Sequence, residues 1–341
     1  MSRYHRTLFT AALVTTVITG TAGWASADAQ PAVTGPPPGA AAWLADHSLG
    51  RDLPDPGDST PAQIASFFGE LTNTQQQQLT HRHPLTVGNL DGAPVPLRYE
   101  ANHLALQQAG KRYEALAAPG HQILAFDPRG RGQVAEVYGD LTDAAHVSVV
   151  VPGSDTDATD FAPTATMAKN LRAATGNSNR TAVIAWAGYT TPVGVGLDAA
   201  TAGLAKAGAP RLTRLTEGLE ATGAPEPVLF CHSYGSVVCG LAAHDTPYTS
   251  DIVVTGSPGM HADTVDDLHT DARVWAAKDP GDWIDHVPNV DIAGVGHGED
   301  PTDPAFGART VPAHDAKGHT GYFTPGTESL RTFAAIALGT M

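Results

Sequence analysis

Ser233 lies in Pro227-Val228-Leu229-Phe230-Cys231-His232-Ser233-Tyr234-Gly235-Ser236, which reads as a buried strand, a tight turn and the start of a helix. Val228, Leu229 and Phe230 form a continuous apolar run, as a strand covered on both faces does. From Gly235 to Ala243 the residues are small and mostly apolar, which suits a packed helix. Cys231 and Gly235 stand two residues either side of the serine, the small-x-Ser-x-Gly spacing of a nucleophile elbow. The chain passes close to itself there, so large side chains clash. Glycine is usual at the first small position, and Cys231 departs from it. The helix after the turn aims backbone N–H groups at the serine, where an oxyanion would form. The bland alternative is a strand-to-helix turn capped by a serine.

A serine hydroxyl needs a base, and the base needs a carboxylate to orient it. On this type of turn the three follow in the chain order Ser, Asp or Glu, His. Asp279 is the expected acid, because it follows the apolar segment Val274-Trp275-Ala276-Ala277 at a strand's carboxyl end. Asp282, three residues on, is the runner-up. His319 is the expected base, in the last long loop before the final helix, with Gly318 and Gly321 freeing the backbone around it. His314 competes for that place, and His297 is more remote. The oxyanion donors are expected from the backbone of Tyr234 and of Gly153 or Ser154, in the loop after Val149-Val150-Val151.

These residues need a scaffold that delivers strand ends to one rim. Strands are expected over 122–127, 133–140, 145–151, 181–186, 228–230, 251–255 and 273–277. Residues 133–140 alternate apolar and polar, as a half-exposed antiparallel strand does. Helices are expected over 61–80, 99–116, 167–174, 198–222 and 328–338, the fourth broken at Gly208-Ala209-Pro210. Strand and helix alternate after residue 145, so the connections are crossovers and the sheet is mainly parallel. An antiparallel start followed by a doubly wound parallel sheet is the order of an α/β-hydrolase fold, here with an N-terminal helical segment.

The chain has 341 residues, enough for one α/β domain with insertions. Its formal net charge of -15 argues against nucleic acid and anionic membrane surfaces as partners. Residues 1–27 read as a secretory signal peptide: Arg3, His5 and Arg6, an uncharged and mostly apolar stretch over 8–24, then Ala25-Ser26-Ala27 for cleavage. A membrane anchor is the alternative, but the stretch is rich in Thr and Gly and barely long enough to span. Residues 28–60 read as a Pro/Gly/Ala-rich linker or arm, pinned down by Trp43-Leu44. Residues 61–341 form the hydrolase domain, with 61–118 as a helical extension that either caps the site or packs as an outer layer. A secreted location, extracellular or at the cell envelope, permits a disulfide, but Cys231 and Cys239 are expected as two buried thiols. His81 and His83 read as solvated. Asp155, Asp157 and Asp160 hold part of a calcium-loop spacing without its glycine or distal glutamate, and read as loop acids. No phosphate-binding or dinucleotide fingerprint is present, and neither metal nor cofactor is expected.

The chain resembles the actinobacterial α/β-hydrolase family of the DUF1023 type, from about Pro84 to the C-terminus. The resemblance is carried by Gly88-Asn89-Leu90-Asp91-Gly92 with Arg98 and Ala101-Asn102, and by the elbow itself. Gly256-Ser257-Pro258-Gly259-Met260, Asp300-Pro301-Thr302 with Phe306-Gly307, and Gly318-His319 with Tyr322 complete it. The family usually has glycine at the position of Cys231. The resemblance implies a serine hydrolase using Ser233, Asp279 and His319, and implies no particular substrate. Together the residues and the resemblance lead us to expect a secreted serine hydrolase that transfers an acyl group to water, acting on a small-molecule or lipid-like ester. A peptidase or amidase of the same fold, and a catalytically silent envelope-binding module, are the competing expectations.

Overall fold

The computed structural model describes residues 29–341, so the signal peptide read in residues 1–27 lies outside the described residues. The strands are β1 Ile123–Asp127, β2 Gln133–Tyr138, β3 His146–Val151, β4 Thr181–Ala187, β5 Val228–His232, β6 Asp251–Thr255, β7 Arg273–Ala277, β8 Asp291–Ile292, β9 Val295–Gly296 and β10 Arg309–Thr310. Eight of them form one sheet in the order β1-β2-β4-β3-β5-β6-β7-β10, and β8 and β9 form a separate ribbon. β2 is antiparallel to both β1 and β4, and every later pairing in the large sheet is parallel. This is the sheet that the alternation of apolar runs and helical segments predicts.

The helices are α1 Ala40–Leu44, α2 Pro61–Gly69, α3 Asn73–Arg82, α4 Pro84–Val87, α5 Val95–Gln108, α6 Ala162–Ala174, α7 Leu197–Ala200, α8 Gly203–Ala221, α9 Gly235–Ala242 and α10 Glu328–Ala337. Side chains along a strand alternate between faces, and here both faces are covered. Val149, Val151, Leu229 and Cys231 pack into one core with residues of α8 and α9. Val150, Val228 and Phe230 pack into a second core with residues of α6 and α10. A strand covered in this way must be apolar throughout, which is why the run before Ser233 carries no polar alternation.

Three elements differ from the sequence reading. β2 is not half-exposed: all its residues but Tyr138 are buried. Its polar residue Glu136 is satisfied by His121 Nδ1 at 2.6 Å and by the Tyr138 hydroxyl, so at that position the polar side chain faces protein rather than solvent. The helix expected over 61–80 is two helices. Thr60 with Gln63 and Thr72 with Gln75 each form a reciprocal capping box, and the second box starts α3. α8 runs unbroken through Pro210, and the break falls at Thr201-Ala202 instead. Packing outweighs the cost of an interior proline here. Gly208 faces Tyr189 so closely that a Cβ would lie 2.9 Å from the Tyr189 Cβ.

The N-terminal segment packs as an outer layer. Trp43, Ile64, Phe68, Leu79 and Leu97 make a third core, and α2 and α5 set this layer against α8 and β1. Trp43 is fully buried and its Nε1–H donates to Pro54 O at 2.7 Å. Truncating an indole so placed costs about 3–5 kcal/mol, so Trp43 does pin the arm. Phe67 stacks edge-on against Trp43 at 6.3 Å and Phe68 at 5.5 Å from Phe67, so neither aromatic serves as a lid over Ser233. Among the described residues no helix is long and apolar enough to cross a membrane.

Candidate active site

The turn between β5 and α9 holds Ser233 at φ 55°, in the left-handed region that a non-glycine residue enters only when its surroundings force it. The Ser233 N–H donates to Thr255 O at 2.9 Å, which ties the turn to β6. Gly235 is obligatory, since a Cβ there would lie 2.5 Å from Val151 O. At the other small position Cys231 is fully buried in the core on the α8 and α9 side of the sheet. Cys231 and Cys239 are joined by a disulfide across Cα atoms 6.5 Å apart, not kept as free thiols. The sharp turn folds α9 straight back beside the strand end, so residues eight apart in sequence become neighbours.

His319 Nε2 lies 2.8 Å from Ser233 Oγ. Its Nδ1 lies 2.9 and 3.0 Å from the two carboxylate oxygens of Asp282. The carboxylate beside His319 is therefore Asp282, and the expectation for Asp279 is corrected. Pro280 and Gly281 carry the chain away from the end of β7. Asp282 then caps the short 3-10 turn Trp283–His286, accepting from Ile284 N–H at 2.9 Å, and its side chain turns toward His319. Asp279 is buried nearby and accepts from Gly318 N–H at 2.6 Å, so it holds the loop that carries His319. Gly256, at φ 53°, leaves room for the pair: a Cβ there would sit 2.9 Å from Asp282 Oδ2 and 3.0 Å from His319 Nδ1.

The tautomer follows from the partners. Asp282 also accepts from the Tyr322 hydroxyl at 2.6 Å. Burial pushes the Asp282 pKa up, but the hydrogen bonds from His319, Ile284 N–H and Tyr322 outweigh it and hold the carboxyl below its usual range. An ionised carboxylate only accepts, so His319 carries its proton on Nδ1, leaving Nε2 free to accept from Ser233 Oγ–H. Burial, and the hydrogen bond to Asp282 after it, push the Tyr322 hydroxyl well above its ordinary value, so it stays a donor. His232 lies behind His319, with its Nε2 2.7 Å from His319 O, and must donate that bond. Complete burial, with His319 nearby, lowers the His232 pKa to about 4 and keeps the ring neutral.

On the far side of Ser233 the loop after β3 comes into contact. A Cβ on Gly153 would lie 2.6 Å from Ser233 Cβ, 2.9 Å from its Oγ and 3.1 Å from Tyr234 N. The space against the serine therefore exists because residue 153 has no side chain. The Tyr234 N–H and the Gly153-Ser154 backbone border it, and the Tyr234 hydroxyl points away to Thr201 O at 2.7 Å. His314 is exposed, and His297 Nε2 bonds Ala199 O at 2.8 Å, so neither reaches Ser233. Of the loop acids, Asp157 pairs with Arg131 at 2.6 Å, and Asp155 accepts from Gly194 N–H at 2.8 Å. His81 lies 2.9 Å from Glu100 and His83 2.7 Å from Asp46; His83 is buried rather than solvated.

Sequence reasoning gave no role to His232, Tyr322 or Trp283. The Trp283 ring lies 4.5 Å from the His319 ring and is 46% exposed. Tyr322, three residues beyond His319, stood in the motif that carried the family resemblance, and that adjacency was the available signal. For Trp283 the signal was its position one residue after the second candidate acid.

The sheet order and the strand-turn-helix at Ser233 define an α/β-hydrolase fold. Residues 127–292 match the family model described as Alpha/beta hydrolase. An uncharacterized protein of Mycobacterium tuberculosis is 28% identical over 372 aligned residues, covering 84% of this chain and 57% of that protein. An uncharacterized protein of Mycobacterium bovis is 35% identical over 164 residues, 43% of this chain and 61% of that one. The chain thus spans little more than half the length of these curated relatives. Among solved structures, a dienelactone hydrolase from Anabaena variabilis is similar at 16% identity and a TM-score of 0.40, over 60% of this chain and 89% of that one. An esterase domain from Rhodothermus marinus is similar at 14% identity and a TM-score of 0.36, over 61% and 91%.

Proposed function

We propose that this α/β hydrolase is a secreted serine esterase, with Ser233 as nucleophile, His319 as general base and Asp282 as the residue that orients it. The observation that carries the reading is the continuous chain from Ser233 Oγ through both ring nitrogens of His319 to Asp282, with distances of 2.8 and 2.9 Å. His319 Nε2 takes the Ser233 proton as the oxygen attacks the ester carbonyl. Asp282 stabilises the imidazolium that forms. The carbonyl oxygen becomes an oxyanion in the space against Gly153, where the Tyr234 and Gly153-Ser154 N–H groups meet it. His319 returns the proton to the departing alkoxide, and the same steps with water release the acid.

A lipid-like ester is favoured by the surface around this space. Val195, 58% exposed, lies on the loop after Pro192, whose carbonyl accepts from Asp155 N–H in the Gly153 loop at 2.8 Å, and Leu197, 68% exposed, opens α7 directly after that loop. Val193 on the same loop is also exposed, and Trp283, exposed and 4.5 Å from the His319 ring, puts a large apolar side chain beside the base. Secretion is supported by the leader pattern and by the disulfide, which persists in an oxidising compartment.

The test is labelling of the mature protein with a fluorophosphonate, followed by a p-nitrophenyl ester series of rising acyl length and matched anilides. Labelling lost in Ser233→Ala and strongly reduced in His319→Ala, with turnover of esters above anilides, is the expected result. Absence of labelling in a folded wild type overturns the reading in favour of a silent binding module; preference for anilides moves it to an amidase.

A further inference from the structure

A second cavity, of about 540 Å³, lies under the N-terminal arm, and none of Ser233, Asp282 or His319 lines it. Its floor is the end of β1 and the start of β2. Its walls are Trp186, the proline-rich turn at Pro36-Pro37, and one side of α8. The volume is that of an ordinary small-molecule site.

Gln133 lines this cavity, is 3% exposed, and neither its amide oxygen nor its amide nitrogen has a hydrogen-bond partner among the described residues. A buried amide left unpaired on both atoms costs about 1–3 kcal/mol for each group, so natural chains rarely leave one without something to bind. The charges around it are unequal. Asp91 is neutralised by Arg98 at 3.0 Å, and Asp127 by Arg129 at 2.6 Å. Arg211 Nε donates to Gly188 O at 2.6 Å, and its guanidinium stands 3.8 Å from the already paired Asp127. Arg214 donates only to the backbone oxygen of Ser59, at 3.1 Å, and Lys206 has no carboxylate partner among the described residues. Asp58 is the one lining acid left without a partner there, and it is exposed.

We propose that this cavity is a binding site for a small carboxylated polyol of sugar size. The Gln133 amide offers one acceptor and two donors, which hydroxyl groups, being both, satisfy together. Arg211, Arg214 and Lys206 supply the positive side for a carboxylate. Trp186 and the proline rings offer the flat apolar surfaces that the C–H faces of a sugar ring cover. The inference stands apart from the esterase reading, because it uses none of the residues around Ser233.

The test is calorimetric titration of the mature protein at low ionic strength with D-glucuronate and, separately, with D-glucose. Glucuronate is expected to bind, with glucose at least tenfold weaker. Gln133→Leu and Arg214→Met are each expected to weaken glucuronate by tenfold or more. Gln133→Leu removes an unpaired polar group for an apolar one of similar size, so its melting temperature is expected to equal or exceed the wild type's, which separates lost binding from lost folding. No binding heat with glucuronate, or equal affinity in Gln133→Leu, overturns the proposal and leaves a cavity that holds water only.

Discussion

Ser233 and Gln133 stand at the same end of one sheet. Ser233 follows the carboxyl end of β5, and Gln133 begins β2 beside the carboxyl end of β4, where Val134 pairs with Ala187. Around Ser233 the polar groups are linked: serine to His319, His319 to Asp282, Asp282 to Tyr322 and Ile284, and the His319 carbonyl to His232. Around Gln133 the carboxylates pair, Asp91 with Arg98 and Asp127 with Arg129, but the Gln133 amide has no hydrogen-bond partner among the described residues. The contrast teaches that the groups around Ser233 hold one another in place, whereas the Gln133 amide is held by packing alone, which is the difference on which the proposal of a ligand there rests.

The largest expected effect separates the two carboxylates. Asp282→Asn should lower kcat toward a labelling ester by about 10³–10⁴-fold, because the amide favours the wrong tautomer of His319. Asp279→Asn changes a side chain that accepts from Gly318 N–H and keeps the backbone N–H that donates to the Tyr322 hydroxyl, so it should cost less than about tenfold, an effect of one weakened buried hydrogen bond. Equal losses in the two variants would break the claim that the chain ends on Asp282.

Gly153→Ala comes next. A Cβ 2.6 Å from the Ser233 Cβ must displace either the loop or the serine, and about 10²–10³-fold should be lost in kcat, the scale of one oxyanion donor. The melting temperature should fall far less than for a core truncation, and a variant that keeps full activity would remove this loop from the site.

His232 gives a pH signature. Its folded pKa, about 4, lies below the ordinary 6.5, so between these values the unfolded chain takes up a proton that the folded one refuses. Stability should therefore fall as pH drops from about 6.5 to about 4, by roughly 3 kcal/mol, and then level off for this group. Asp282 works at lower pH: its lowered pKa gives stability that is present above the unfolded value and lost as pH falls through the folded one. Denaturation of wild type and His232→Gln between pH 4 and 8 should show a shallower slope in the variant. Parallel curves would mean that His232 is not the buried neutral ring that backs His319.

The smallest effect is the disulfide. Replacing both Cys231 and Cys239 with alanine should lower stability by about 2.5 kcal/mol, the chain-entropy value for so short a loop. The labelling rate of Ser233 should drop modestly, because the turn is still held by Thr255 and by the close packing of Gly235. A collapse of labelling with unchanged stability would show that the elbow depends on the bridge and is less organised than the contrast with Gln133 requires.

The elbow was legible in the sequence because all its determinants lie within ten residues. An apolar run, a serine between two small residues and a helix of small side chains fix a strand, a turn and a helix by local sterics alone. The sheet was legible for a related reason: strands covered on both faces carry continuous apolar runs, and β3 to β7 do, with their polar residues at the strand ends apart from Ser148. His319 could be placed because it lies in the last long loop before the final helix, with Gly318 and Gly321 freeing the backbone around it. The choice between Asp279 and Asp282 could not be read in the same way. Both are aspartates beside one Pro-Gly turn, and which faces His319 depends on where Gly318, Tyr322 and Gly256 meet that turn from other parts of the chain. The Cys231–Cys239 bridge, the uninterrupted α8 and the burial of β2 also needed the tertiary structure. The bridge depends on how sharply the turn folds α9 back beside the end of β5, and the other two on what remote segments pack over them; one-dimensional patterning carries neither. Sequence determined which local elements form and which chemistry they offer; packing decided which of two equivalent groups delivers it.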